Sequence, residues 1–394
     1  MSDIDQSRST NRPEDEPEWL STPEATALLG VKAATLYTYV SRGLVRRVPS
    51  PSGRGSRYSR ADLLRLLGRK EARAGHGPVA ADAMRWGQPV IDTEVGGITP
   101  AGPVYRGALA VDLAQAETPF EDVVDRLLDV DAGDWHLLGA GALRERRGAG
   151  TTLLDRMLGA VVAAGGDDPH RHVPGRDVER ARRILGLLAS SMHGIDAVSR
   201  PELDQALTLV ADHGLNASTL ACRVAASTGA DLYACVAAGL AALSGPRHGG
   251  AGARVESLLA ECRRRGASAT LRERLGRGEQ LPGFGHPLYP DGDPRCPPLL
   301  ALALRLAPKD PLVAYARDLS AAAADAGYQH PNLDLGLVAV SAALGLGASA
   351  SIGLFALGRA AGWMAHALEQ QAAGWLLRPR LRYVGPAARA AALE

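Results

Sequence analysis

Cysteine is scarce: Cys222, Cys235, Cys262 and Cys296 are the only four in 394 residues, and no two form a C-x-x-C pair. That excludes a disulfide framework and a cysteine zinc site, and it fits a reducing cytoplasm. Excess charge is missing too. With 44 Lys plus Arg against 43 Asp plus Glu, the overall balance points to no partner. No segment offers roughly 18 charge-free apolar residues in a row; Leu333–Leu357 comes closest and reads as a pair of buried core helices. The N-terminal stretch is polar and acidic, which excludes a signal peptide or membrane anchor there. Solenoid repeats are absent and strand-like runs few. What remains is a soluble composition, 46% hydrophobic and 22% charged, long enough for two or three folding units.

Charge is balanced overall but not locally. Residues 1–31 carry a net −5, residues 32–73 a net +9, and the rest sums to −3. A small basic block between an acidic tail and a mildly acidic body is the distribution of a chain in which one module meets a polyanion. Residues 1–17 read as a disordered acidic tail, and a boundary falls near Gly75–Pro78. Beyond it, alanine and leucine with charges three and four apart, as in Val178–Ala189 and Arg254–Gly266, predict helices. Gly97–Tyr105 predicts a short hairpin at the start of that helical body.

Within residues 18–75, Ser21-Thr22-Pro23-Glu24 is a helix start, Gly30 a stop, and Lys32–Val40 a second helix after a short turn. Ala25–Val31, Thr35–Tyr39, Arg42–Val45, Arg57–Ser59 and Asp62-Leu63 resemble the winged helix-turn-helix of the MerR and excisionase families. The resemblance implies contact with duplex DNA through Thr35 and Tyr37 on the second helix and through Arg54 and Arg57 on the wing. Tyr37 stands where that family usually has Arg. Arg46, Arg47 and Arg60 add to a basic rim that suits phosphates. The alternative reading is a basic solvated appendage.

The body carries three motifs in order: Ser244–Ala251 around His248, Pro282–Tyr289 around His286 with Asp293-Pro294-Arg295, and Pro331-Asn332-Leu333-Asp334. Two of them set a histidine among Gly and Pro, where the backbone turns sharply and a ligand can come close. In this order they resemble the citrate synthase family. Further matches are Tyr105–Gly107, Phe120–Val123, Ala211–His213, Leu215–Thr219, Phe355–Arg359, Gly362-Trp363, His366–Glu369, Arg378-Pro379 and Tyr383–Gly385. The resemblance implies a mainly α fold, with a large helical domain (80–250 and 349–394) and a smaller one (251–348). It also implies a homodimer with the active site in the cleft between these domains.

The implied activity is condensation of acetyl-CoA with oxaloacetate, with no cofactor beyond the acyl-CoA substrate. In that chemistry Asp334 is the base, His248 donates to the thioester oxygen and His286 acts on the ketone. His213, Arg295, Arg359 and, from the neighbouring subunit, Arg378 hold oxaloacetate. Pro282, Gly283, Phe284 and Gly285 resemble the loop against the CoA adenine. Other readings make Asp334 a cap for a helix starting at Leu335, Arg359 and Arg378 ordinary ion-pair partners, and Trp363 and Phe355 core. No metal is assigned to His170 and His172, which lack a third ligand. The pattern is broken at Gly214, where Glu is common, at Gly252, where Asn is usual, and at Pro287. The two glycines are expected to loosen the packing behind His213 and His248. Two alternative functions stand beside the first: a 2-methylcitrate synthase using propionyl-CoA, and a non-catalytic, metabolite-sensing transcription regulator.

Overall fold

The computed structural model describes residues 19–41, 43–50, 55–60, 62–63, 91–131, 152–195 and 200–379. They fall into two compact units, one of Met1–Ile91 with Pro379–Glu394 and one spanning Asp92–Arg378. The expected tail 1–17 and Arg54 lie outside the described residues.

The first unit runs β1 (Trp19–Ser21), α1 (Thr22–Leu29), α2 (Ala33–Ser41), β2 (Arg47–Pro49) and β3 (Ser56–Ser59). Ser21 and Glu24 form a capping box at the start of α1, with the Ser21 amide donating to Glu24 Oε2 at 2.8 Å. The helix ends at Gly30 in the left-handed region (φ 59°), where any other residue would be strained. The strands form an antiparallel sheet of order β1-β3-β2. Leu20, Ala25, Leu29, Leu36, Val45, Tyr58 and Leu63 make a separate small core. This is the expected helix-turn-helix with a wing.

The second unit opens with the expected hairpin, β4 (Gly96–Thr99) and β5 (Gly102–Tyr105), extended by β6 (Ala108–Leu109). Helices then follow: α3 (Ala110–Gln115), α4 (Phe120–Leu128), α5 (Leu153–Gly166), α6 (Asp177–Ser190), α7 (Arg200–Thr208), α8 (Ala217–Ser227) and α9 (Leu232–Leu243). The chain continues through α10 (Ala251–Arg265), α11 (Ala267–Gly276), α12 (Cys296–Leu306), α13 (Pro311–Asp325), α14 (Leu333–Ala343) and α15 (Ala350–Ala373). Helices α10 to α14 pack on one another, while α15 packs against α4 to α9 and, on its other side, α14. The expected pair of buried helices in Leu333–Leu357 is α14 and the start of α15.

Helix α15 can lie this close to its neighbours because it presents small residues. At Gly362 an added Cβ would stand 2.5 Å from the Ala211 carbonyl oxygen, and the Gly362 amide donates to that oxygen at 3.0 Å. Residues 207–213 therefore lie directly on α15, which fixes where His213 points. No described helix is long and apolar enough to cross a membrane.

Candidate active site

A cleft with about 800 Å³ of open space is lined by His213, His248, His286, Arg295, Asp334 and Arg359, six of the seven body residues expected to catalyse or to hold oxaloacetate. Arg378, the seventh, is exposed near the end of the unit and does not line the cleft of its own chain.

Each of the six is held by local structure. Asn332 caps α14 by accepting the Asp334 amide at 3.0 Å. Asp334 is therefore not the cap, and the helix begins at Leu333 rather than Leu335; the carboxylate faces the cleft, free of capping. Asn332 Nδ2 also donates to the Gly285 carbonyl at 2.9 Å, tying this motif to the loop before His286. Burial raises the Asp334 carboxyl to about 6, with Arg295 pulling the other way.

His248 Nε2 lies 2.8 Å from the Ser218 hydroxyl. Ser218 is placed by Asn216, whose side chain caps α8 and accepts the Ser218 and Thr219 amides, both at 3.1 Å. Trp363 Nε1 donates to the same hydroxyl at 3.2 Å. Burial, helped by Arg359, lowers the His248 imidazole to about 4, so the ring is neutral.

His286 Nδ1 accepts the Leu288 amide at 3.1 Å, which leaves the proton of the neutral ring on Nε2. Burial and then Arg295 hold it below the usual histidine range. His213 packs edge-on against His286, ring centroids 5.4 Å apart, and its Nε2 lies 2.9 Å from the Tyr289 hydroxyl. Burial first, then Arg295 and Arg359, depress the His213 imidazole strongly.

Arg295 is locked by Asp293 through Nε at 2.9 Å and Nη2 at 2.8 Å. Arg359 donates from Nε to the Val210 carbonyl at 2.7 Å, and its guanidinium lies 4.5 Å from the Phe355 ring centroid. Burial lowers Arg359 to about 10, which leaves it charged at neutral pH. Behind His213, Asp212 Oδ1 stands 3.3 Å from His366 Nε2, and Arg223 reaches His366 Nδ1 at 2.7 Å. Arg223 also pairs with Glu369, which accepts from Thr93 Oγ1 and the Glu94 amide at 2.8 and 2.7 Å. Burial would raise the Asp212 carboxyl, but His366, Arg359 and the Gly214 amide together hold it low.

Several expectations need correction. Phe355 is not simply core; it lines the cleft with its ring edge-on to His248 at 6.1 Å. Trp363 is fully buried, as expected. Gly252 does not loosen the site, because a Cβ there would meet Ser351 Oγ at 2.6 Å. Gly214 adopts φ 59° with Ile98 Cδ1 3.3 Å from where its Cβ would be, so Glu there would be strained as well as crowded. Pro282, Gly283, Phe284 and Gly285, expected against the CoA adenine rather than the reacting groups, stand outside the lining of this cleft. Phe284 packs in the core, and Gly283 and Gly285 bond Asn332 and His330 through the backbone at 2.8 Å each. In the first unit, Arg46 pairs with buried Asp62 (Nε–Oδ2 2.8 Å) while its own side chain stays 68% exposed. Sequence reasoning assigned no role to Ser218, Tyr289, Asn332 or Asp293, although each stands within a motif it quoted. Among the described residues no group of three or more His, Cys, Asp or Glu is placed to hold a metal ion.

Residues 154–380 match the family model described as citrate synthase, C-terminal domain. The chain belongs to the citrate synthase family. Residues 19–71 match a helix-turn-helix domain model. Similar curated proteins include putative citrate synthase 2 of Mycobacterium tuberculosis, 42% identical over 186 residues that make up 45% of this chain and 50% of that protein. Citrate synthase 2 of Bacillus subtilis is 37% identical over 190 residues, 46% of this chain and 50% of that one. The 2-methylcitrate synthase of M. tuberculosis is 35% identical over 196 residues, 46% and 47% of the two chains. The chain thus spans about half the length of the curated relatives it matches. Among solved structures, the citrate synthase of Thermoplasma acidophilum in its ternary complex with carboxymethyl coenzyme A and oxaloacetate shares the fold, at TM-score 0.68 and 23% identity, over 79% of this chain and 97% of that one.

Proposed function

We propose that this citrate synthase family member condenses acetyl-CoA with oxaloacetate and hydrolyses the product thioester, releasing citrate and CoA. The observation that carries the reading is the convergence of His248, His286 and Asp334 on one cleft that also holds two buried guanidinium groups, Arg295 and Arg359. Deprotonating a thioester methyl group near neutral pH needs a base and a donor to the enolate oxygen acting together. Asp334, raised to about 6, is a stronger base than an ordinary carboxylate yet still ionised at pH 7. Its carboxylate takes the methyl proton.

The Ser218 hydroxyl has one proton to give, and Asn216 Oδ1 and His248 Nε2 compete for it at 2.7 and 2.8 Å. Given to His248, it sets the imidazole proton on Nδ1, from which the neutral ring donates to the thioester oxygen as charge builds there. The enol carbon then attacks the ketone of oxaloacetate, and the proton on His286 Nε2 passes to the ketone oxygen. Water next adds at the thioester carbon, the C–S bond breaks and the thiol leaves. Arg359, with Nε spent on Val210, keeps its outer nitrogens for a carboxylate. His213 adds a further contact, and Arg378 completes the set from a neighbouring copy in a homodimer. The loop Pro282–Gly285 packs against the CoA adenine, and 251–348 is the smaller domain that closes. No cofactor is required, and the setting is cytoplasmic.

The N-terminal unit is proposed to bind duplex DNA. Supporting this, Tyr37 is 49% exposed on α2 beside half-buried Thr35, and Arg57 is exposed on β3.

The deciding experiment is thiol release by purified protein with oxaloacetate and either acetyl-CoA or propionyl-CoA. Turnover with acetyl-CoA is expected. A clear preference for propionyl-CoA would make the chain a 2-methylcitrate synthase, and no release with either would favour the metabolite-sensing regulator.

A further inference from the structure

Helix α15 lines the cleft with Arg359, Phe355 and Ser351, spaced four residues apart, and with Ile352. Arg359 marks the carboxylate end, and Phe355 faces His248 in the middle. Ser351 lies on the far side of Phe355, about 12 Å along the axis from Arg359 at 1.5 Å per residue. Two other helices give the same location. Gly252, four residues on from His248, and Val338, one turn on from Asp334, flank Ser351: a Cβ at position 252 would be 2.6 Å from Ser351 Oγ and 3.9 Å from Val338 Cγ2. Ser351 thus stands one turn beyond the reacting groups, on the side away from oxaloacetate.

Its chemistry there is unusual. The residue is only 4% exposed and its hydroxyl has no hydrogen-bond partner among the described residues, while the cleft wall around it is supplied by Leu243, Leu337 and Ile352. A hydroxyl that faces the cleft with no protein partner is left to bond water or a ligand there. An acetyl group has only its thioester oxygen, which His248 takes. The next polar group outward from oxaloacetate is the amide two methylene groups beyond the sulfur of the CoA arm.

We propose that the Ser351 hydroxyl, in the space left by the missing side chain of Gly252, hydrogen-bonds the first amide of the pantetheine arm of the acyl-CoA. The assignment rests on the acyl-CoA reading above. It makes Ser351 a binding residue that aligns the thioester between His248 and Asp334.

The test compares wild type and Ser351→Ala with oxaloacetate and three thioesters: acetyl-CoA, S-acetyl-N-acetylcysteamine, which keeps the amide, and S-ethyl thioacetate, which lacks it. Ser351→Ala should raise KM about three- to tenfold for the first two, the value of one neutral hydrogen bond, and leave KM for the third unchanged. Gly252→Ala, which pushes the hydroxyl aside, should give a similar rise and add little in the Ser351→Ala background. An unchanged KM for acetyl-CoA, or an equal penalty on the amide-free thioester, overturns the proposal. If wild type turns over none of the three, the acyltransferase reading fails. Calorimetric binding of free CoA with oxaloacetate present then decides about Ser351, with equal affinities for the two proteins refuting it.

Discussion

Ser218 Oγ and His248 Nε2 lie 2.8 Å apart, although 30 residues separate them in the chain. The contact is possible because Asn216 caps α8 and Trp363 reaches the same hydroxyl from α15. The His248 proton sits on Nδ1 when Ser218 donates to the ring and on Nε2 when Ser218 donates to Asn216 instead.

Ser218→Ala should therefore lower kcat by about tenfold or more, the scale of a displaced general-acid proton, while KM for oxaloacetate stays within a factor of two or so. Steady-state kinetics with a parallel melting curve checks this. A fall in stability without a fall in kcat would make Ser218 only a packing residue.

Asp334 links activity to pH. As the base it must be ionised, so kcat/KM should rise through a pH near 6, the value to which burial lifts it, and Asp334→Asn should lose at least about a hundredfold in kcat. The sign for stability is opposite. A carboxyl that is harder to ionise folded than unfolded costs stability as pH rises from about 4 to about 6. Asp334→Asn should then be more stable than wild type at pH 8, by on the order of 1–2 kcal/mol, and equal to it near pH 4. Urea titrations at the two pH values test this, and a less stable variant at pH 8 contradicts it.

His366 is buried between Asp212 and Arg223. His366→Ala leaves both charges without their shared partner and should cost about 3–5 kcal/mol. His366→Gln, which keeps a donor and an acceptor, should recover part of that. Because Asp212 adjoins His213 and holds the Gly214 amide at 3.1 Å, KM for oxaloacetate should rise in the Ala variant more than KM for acetyl-CoA does.

For the N-terminal unit, binding to duplex DNA should weaken steeply with salt, since log K falls by about 0.9 per phosphate contact for each decade of salt. Arg57→Ala should reduce affinity for all sequences and flatten that slope by about one contact. Tyr37→Ala should change which sequence is preferred. Fluorescence anisotropy of full-length protein on random and genomic duplexes is the measurement, and no binding at low salt refutes the proposal.

The parts of the site legible in the sequence were those that carry their own punctuation. His248 and His286 stand among Gly and Pro, Asp334 follows Pro-Asn, and Arg295 lies two residues from the Asp293 that locks it. Ser218 and Tyr289 were not legible as functional, because each acts through a histidine that only folding brings near, 30 and 76 residues away. Phe355 looks like core in an alanine-rich helix because periodicity cannot separate a residue facing the interior from one facing a cleft within it. Gly252 looks like a weakening, since a missing side chain is visible in sequence and the Ser351 hydroxyl that fills its place is not. The fold was read more fully. Gly30, the Gly97–Tyr105 hairpin and the helical periodicity are local signals, and α1, β4 and β5 obey them.

The chain of contacts Asp212–His366–Arg223–Glu369 ends on Thr93 and Glu94, the second and third residues of the second unit. A fragment of this protein trimmed to begin after Glu94 would retain every described helix of the second unit and every residue that lines the cleft, yet Glu369 would lose both of those hydrogen bonds and Arg223 its contact with Thr93. The shortest fragment able to preserve the setting of His213 is thus defined by an edge the cleft itself never touches.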